Sequence, residues 1–157
     1  MGSVVTLESA DAIARVYREQ GPKLWRSLYA FTGSREVASD ALAEALAQAL
    51  GRGEDIRSPE RWVWTAAFRI AAGELKRKAR EQALGDESAV MPESTVDLVR
   101  ALGTITPRQR AVVILCLYAG YPTSEVAKIL GSSPATVRVH LSAARRRLRV
   151  LLEETDG

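Results

Sequence analysis

Side chains that carry chemistry are scarce in this chain, which has one histidine, His140, and one cysteine, Cys116. A single cysteine excludes an intrachain disulfide and a thiolate metal cluster within one chain. With one histidine there is no second imidazole for a metal site and no plausible nucleophile–base pair. There is no glycine-rich phosphate loop, so the sequence predicts no catalytic residue, no metal and no cofactor. Cys116 lies in the apolar run Ala111–Ala119 and reads as a small buried hydrophobe. Long hydrophobic stretches are missing too: none approaches the ~20 residues of a membrane span. Met1-Gly2-Ser3 opens without the basic-then-apolar pattern of an export signal, so a cytoplasmic protein with no membrane insertion is expected. Strand-like alternation of any length is also absent, which leaves an all-α fold.

What is present is charge, unevenly placed. Among 157 residues, Lys and Arg number 22 and Asp and Glu 19, a formal net charge of +3. Residues 1–82 hold 13 basic and 11 acidic residues, residues 83–94 hold no base and 3 acids, and residues 95–157 hold 9 and 5. A small excess of this kind hints only weakly at a polyanionic partner, but it concentrates in the last third of the chain.

Helical periodicity runs through both ends. Ile13, Val16, Tyr17, Leu24, Leu28 and Phe31 recur at three to four residues, with Gly21-Pro22 a predicted kink or break. Ser34 is a candidate N-cap for a second helix over roughly 35–50, with Val37, Ala41, Leu42, Ala45 and Leu46 as its apolar stripe, stopped by Gly51-Arg52-Gly53. Ser58-Pro59 opens a third helix to about Arg80, which begins with Trp62-Val63-Trp64 and ends in a basic cluster. The acidic, Gly- and Pro-bearing stretch 83–94 reads as a linker. After it, Val96, Val99 and Leu102 share the face of a short helix, and Thr106-Pro107-Arg108-Gln109 is a capping-box start. The organisation predicted is two small helical domains, 1–82 and 95–157, joined by a short linker.

The most specific segment is Thr123–Leu141. A helix-turn-helix needs a small residue where its helices touch (Ala127), a left-handed turn residue (Gly131), an immediate cap for the second helix (Ser133-Pro134) and buried anchors (Val126, Ile129, Leu130, Val137, Leu141). All fall at compatible spacings. Between Pro134 and Arg149 the second helix holds five arginines and no acid. Val137, Leu141, Ala144 and Leu148 share one face, and Ala135, Val139, Ser142 and Arg146 the opposite one, flanked by Arg138 and Arg149. Such a face fits the phosphates and base edges of a major groove. His140, near the edge of the buried side, suits a structural or phosphate-contacting role.

At these residues the chain resembles the extracytoplasmic-function (group four) sigma factors of the sigma-70 family, from about Val16 to Leu152. Ile105-Thr106-Pro107-Arg108-Gln109-Arg110-Ala111-Val112-Val113 is similar to the family's "L-x-x-x-Q-R-x-V" opening of sigma domain four. Glu125–Gly131 is similar to "E-I-A-x-x-L-G", and Thr136-Val137-Arg138 with Leu141-Ser142 and Ala144-Arg145 to "T-V-x-x-x-L-x-x-A-R". Ala38-Ser39-Asp40, Glu44 and Ser58–Val63 match sigma domain two. The resemblance implies a sigma factor that binds core RNA polymerase through the β′ clamp and β flap, engages promoter DNA and, in some members, answers to an anti-sigma factor. By the same resemblance Ser133, Ala135, Thr136, Arg138, Val139, Ser142, Arg146 and Arg149 face the −35 element, and Asp40, Ala43 and Glu44 dock on polymerase. The melted −10 element falls to Arg57, Arg61, Trp62, Trp64, Arg69, Lys76 and Arg77, because unstacked bases need a π-face and phosphates need charge. Two tryptophans two apart on a helix point differently, so one is expected buried and one exposed. The chain departs from the family at Ala43, commonly Gln, at Ala67-Phe68-Arg69…Gly73–Arg77 against "A-R-N…D-x-x-R-R", and at His140 and Ala143, commonly basic. A dimeric LuxR-type regulator is the alternative, since Thr136–Ser142 also resembles that family's recognition helix; the helical first 82 residues speak against its usual preceding domain.

Overall fold

The structure, a computed structural model, describes residues 6–82 and 100–156. The predicted linker 83–94 and the predicted helical face at Val96 and Val99 lie outside the described residues. Among those described there is no strand. The chain divides into two compact units, Met1–Gly73 and Glu74–Gly157, with the division falling inside a helix.

In the first unit, α1 (Leu7–Thr32) begins at a reciprocal cap in which the Ser9 amide donates to Thr6 Oγ1 and the Thr6 amide to Ser9 Oγ. It runs unbroken through Gly21-Pro22, so of the kink or break expected there the break does not occur. Proline removes one backbone hydrogen bond and costs a helix interior about 3 kcal/mol. Either side of it, Ile13, Val16, Leu24, Leu28 and Phe31 are buried along one face, and each buried side chain of that size returns roughly 1.5–3 kcal/mol. Burial wins. Gly33, left-handed at φ 71°, ends the helix.

Ser34 then caps α2 (Arg35–Arg52), accepting from the Val37 amide at 3.1 Å as the sequence predicts. The buried stripe of α2 is Val37, Ala38, Ala41, Leu42, Ala45 and Ala49, mostly alanines, so α1 packs closely along it. A 3₁₀ turn, Gly53–Asp55, leads to α3 (Pro59–Gln82). Phe31 of α1 meets Phe68 of α3 at 5.2 Å between ring centroids, and Trp64 stacks on Phe68 at 6.2 Å.

In the second unit, residues 100–103 are helical and Leu102 is buried. The half-buried Arg110 donates to the carbonyls of Leu102 and Ile105, tying that turn to α4 (Pro107–Val113). The Thr106–Gln109 capping box forms as expected. Past α4 the backbone widens into a π turn, Ile114–Tyr118, in which the Ala119 amide donates to the Ile114 carbonyl at 2.9 Å. The extra residue in the turn rotates the end of the apolar run outward. Ile114 and Leu115 stay buried, whereas Leu117 and Tyr118 are 54% and 48% exposed. Cys116 is half-buried rather than buried, a correction to its reading as a core hydrophobe. Burial still pushes its thiol pKa up, and Arg145 partly opposes this.

α5 (Thr123–Leu130) and α6 (Pro134–Asp156) follow. Gly131, at φ 63° and ψ 44°, ends α5, and the Ser132 amide donates to the Ala127 carbonyl at 2.8 Å. Open space surrounds the position where a Gly131 side chain would stand, so only the backbone conformation restricts the residue. Gly131→Ala is therefore expected to destabilise the second unit by about 1 kcal/mol, read as a lowered urea midpoint with unchanged slope; equal or greater stability would remove the left-handed requirement.

Candidate nucleic-acid interface

α5 and α6 form the predicted helix-turn-helix. Val126, Ala127, Ile129, Val137 and Ala144 are buried between and beneath the two helices, and Leu130, Leu141 and Leu148 are half-buried at the margin of that seam. Arg108 Nη1 donates to the Leu130 carbonyl at 3.0 Å, holding the end of α5 to the start of α4. At the head of α6, Ser133 Oγ accepts from the Thr136 amide at 3.2 Å and donates to Thr136 Oγ1 at 2.9 Å. Ser133 and Thr136, both candidate DNA contacts, are thus engaged in capping, though both are exposed.

The other candidates on α6 are all exposed: Ala135, Arg138, Val139, Ser142, Arg146 and Arg149. Burying Val137 and Ala144 turns the helix so that this set faces solvent together. Beside it lies a shallow groove of about 580 Å³ lined by Thr123, Arg138, Leu141, Ser142, Arg145, Arg146 and Arg149. Arg145 and Thr123 are not among the DNA contacts expected from the sequence. Arg145 follows Arg138 by seven residues, a helical spacing that could have revealed it, but Thr123 joins only through the packing of α5 on α6.

In the first unit the candidate residues cluster around the turn before α3. Arg57, Arg61, Trp62 and Arg69 line a concavity of about 410 Å³ with Asp55, Ile56, Ser58, Thr65 and Ala66. Trp62 is half-buried, and the Arg52 guanidinium lies 5.8 Å from its ring centroid. Arg61 is half-buried, with its Nε out of solvent. Trp64 is 0% exposed. That corrects its assignment as a base-stacking residue: its ring is committed to Phe68 and the core, and reaching a base would require unpacking α3. The sequence expectation of one inward and one outward tryptophan holds in direction, although Trp62 keeps only part of its surface in water.

Further along α3, Lys76 is exposed. Arg77 bonds Glu74 at 2.8 Å and Glu81 at 2.6 Å. The Glu74 hydrogen bond holds the Arg77 pKa up and the Glu74 pKa down. Arg77 and Glu81 are exposed and Glu74 partly so, which leaves both ion pairs screened by solvent, so a phosphate can compete for Arg77.

On α2, Asp40, Ala43 and Glu44 are exposed on one surface. Glu44 Oε1 accepts from Gln48 Nε2 at 3.0 Å, and Gln48 Oε1 from Arg69 at 3.4 Å. This chain links the α2 surface to the rim of the concavity, a connection between residues 21 apart that the sequence does not display. Among the described residues no group of three or more His, Cys, Asp or Glu is placed to hold a metal ion, and no helix is long and apolar enough to cross a membrane.

A family model for sigma-70 region 4 matches residues 95–148, the helix-turn-helix unit. The RNA polymerase sigma-E factor of Streptomyces antibioticus is 30% identical over 132 residues, covering 76% of this chain and 72% of that protein. The chain belongs to the extracytoplasmic-function sigma factors of the sigma-70 family. Within that family, the sigma factor SigL of Mycobacterium tuberculosis is 29% identical across 92% of this chain and 91% of its own length. The fold agrees. Sigma factor RpoE of Bartonella quintana, solved with the anti-sigma factor NepR, superposes with a TM-score of 0.76 at 22% identity, covering 89% of this chain and 96% of that one. Membership in the sigma family leaves the LuxR-type alternative without support.

In this sigma factor the two tryptophans should separate experimentally. Trp64→Ala is expected to cost about 3–5 kcal/mol of stability in urea unfolding, and Trp62→Ala less than half as much while weakening single-strand DNA capture by the polymerase-bound protein. Equal destabilisation by the two would place Trp62 in the core as well.

Proposed function

We propose that this sigma factor docks on core RNA polymerase through Asp40, Ala43 and Glu44 of α2 and directs it to promoters held at two elements. In this reading residues 1–82 act as sigma domain two, 83–94 as linker and 95–157 as sigma domain four. The observation that carries it is the exposed, arginine-lined face of α6 set opposite the buried Val137–Ala144 seam of a helix-turn-helix. Ser133, Ala135, Thr136, Arg138, Val139, Ser142, Arg146 and Arg149 enter the major groove of the −35 element. Arg57, Arg61, Trp62 and Arg69, with Lys76 and Arg77 further along α3, take the melted −10 strand by charge and stacking.

The partners are the polymerase β′ clamp and β flap and promoter DNA. An anti-sigma factor belongs to the same proposal, because the similar sigma factor RpoE was solved in complex with the anti-sigma factor NepR. The role is regulatory and cytoplasmic, with no reaction catalysed. Each domain alone grips DNA weakly. Polymerase joins the two grips, raising the effective concentration of each for its element, and arginine–phosphate contacts make the complex sensitive to salt.

The test is co-purification with bacterial core polymerase followed by run-off transcription. Stable association and discrete start sites support the proposal; a protein that ignores polymerase and binds palindromic duplexes as a dimer overturns it. In the same system, Arg138→Ala or Arg146→Ala is expected to weaken promoter binding by about 1–3 kcal/mol where the arginine grips a base edge in bidentate fashion. A smaller loss, uniform across sequences and with a shallower salt slope, would assign that arginine to the backbone.

A further inference from the structure

Between Ala135 and Arg146, Val139 is the one branched apolar side chain on a face of α6 otherwise made of alanines and polar or charged residues. It is 66% exposed, and at 100° per residue it stands roughly 180° from Leu148 and roughly 160° from Val137 and Leu141. It therefore occupies the middle of the solvent-facing surface. Its neighbours there are Ala135 and Ala143 four residues away, Thr136 and Ser142 three away, and Arg146 seven away. The alanines are short, so nothing on the helix shields the valine methyl groups from an approaching surface. A β-branched residue is a poorer helix former than alanine, and its exposed methyls gain nothing from water, so Val139 contributes to neither the fold nor the solubility of this helix.

On the major-groove edge of duplex DNA almost every group is a hydrogen-bond donor or acceptor; the apolar exception is the C5 methyl of thymine. We infer that Val139 is a specificity-determining residue, packing against a thymine methyl within the upstream promoter element. The inference rests on the reading that α6 enters that groove. Arg138, Arg146 and Arg149 provide charge for phosphates or guanine edges, and Val139 supplies a contact that no arginine can: preference for thymine over cytosine at one position without a hydrogen bond.

The experiment uses the holoenzyme reconstituted with bacterial core polymerase. Promoter duplexes are selected from a random library, and each thymine of the upstream element is replaced singly by deoxyuridine, which keeps the pairing and loses only the methyl. One position is expected to bind on the order of threefold to fivefold more weakly, as for loss of one buried methyl contact. Val139→Ala should weaken binding to the thymine duplex by a similar factor and then bind thymine and deoxyuridine duplexes alike, the coupling that a direct contact requires. Because Val139 is exposed and alanine is the better helix former, that variant should unfold at a urea midpoint no lower than that of the parent. Tolerance of deoxyuridine at every upstream position, or an undiminished penalty in Val139→Ala, overturns the inference while the sigma reading stands. Failure to form a holoenzyme with discrete start sites removes the sigma reading and this inference together.

Discussion

What α6 shows to DNA is set by what its other side hides. Val137 and Ala144 are closed against α4 and α5, and Ala127 on α5 is small enough for the helices to approach closely. A helix with two such fixed points cannot rotate about its axis, so the register of Ala135, Val139, Ser142 and Arg146 relative to the rest of the unit is decided by packing rather than by the charged residues themselves. Gly131 and the Ser133–Thr136 cap fix the remaining variable, the angle and start of the helix. The left-handed turn and the cap leave only the three residues Gly131–Ser133 between the two helices. The face proposed for recognition is therefore pre-organised in the free protein, which leaves little conformational entropy for a bound duplex to remove.

The first unit uses the same logic with aromatic packing. Trp64, Phe68 and Phe31 fill the space where α3 crosses α1, and because Trp62 precedes Trp64 by two positions it leaves the core on the side of the Asp55–Ser58 turn. The concavity there is a by-product of where α3 must start: Gly53 releases α2, Pro59 starts α3, and the intervening residues can only run past the rim. The hydrogen-bonded chain Glu44–Gln48–Arg69 crosses from the α2 surface to that rim, so the proposed polymerase and −10 surfaces lie at opposite ends of one polar contact network.

Much of this was legible in the sequence. The caps at Ser34 and Thr106, the turn at Gly131 and the two-sided character of α6 are local properties, written in residues three or four apart, and each appears where expected. What the sequence concealed depends on contacts between segments. Pro22 looked like a break because its local cost is visible and the burial of Ile13 through Phe31 against α2 is not. Cys116 sat in an apolar run whose period changes at the π turn, and no residue type announces that change. Trp62 and Trp64 could be told apart in principle but not assigned, since the choice depends on Phe31 from another helix. Thr123 and Arg145 share a groove only because α5 and α6 pack as they do.

The arginines of α6 also affect the protein in the absence of DNA. Arg145, Arg146, Arg147 and Arg149 lie within about one and a half turns, all exposed, and like charges at three and four residues oppose the helix that holds them. Added salt relaxes that repulsion in the free protein, whereas it weakens the DNA complex by making counterion release less favourable. On the proposed function the unit is thus least comfortable alone under the ionic conditions in which it would grip DNA best, and the nucleic acid would serve the helix as its missing set of counter-ions.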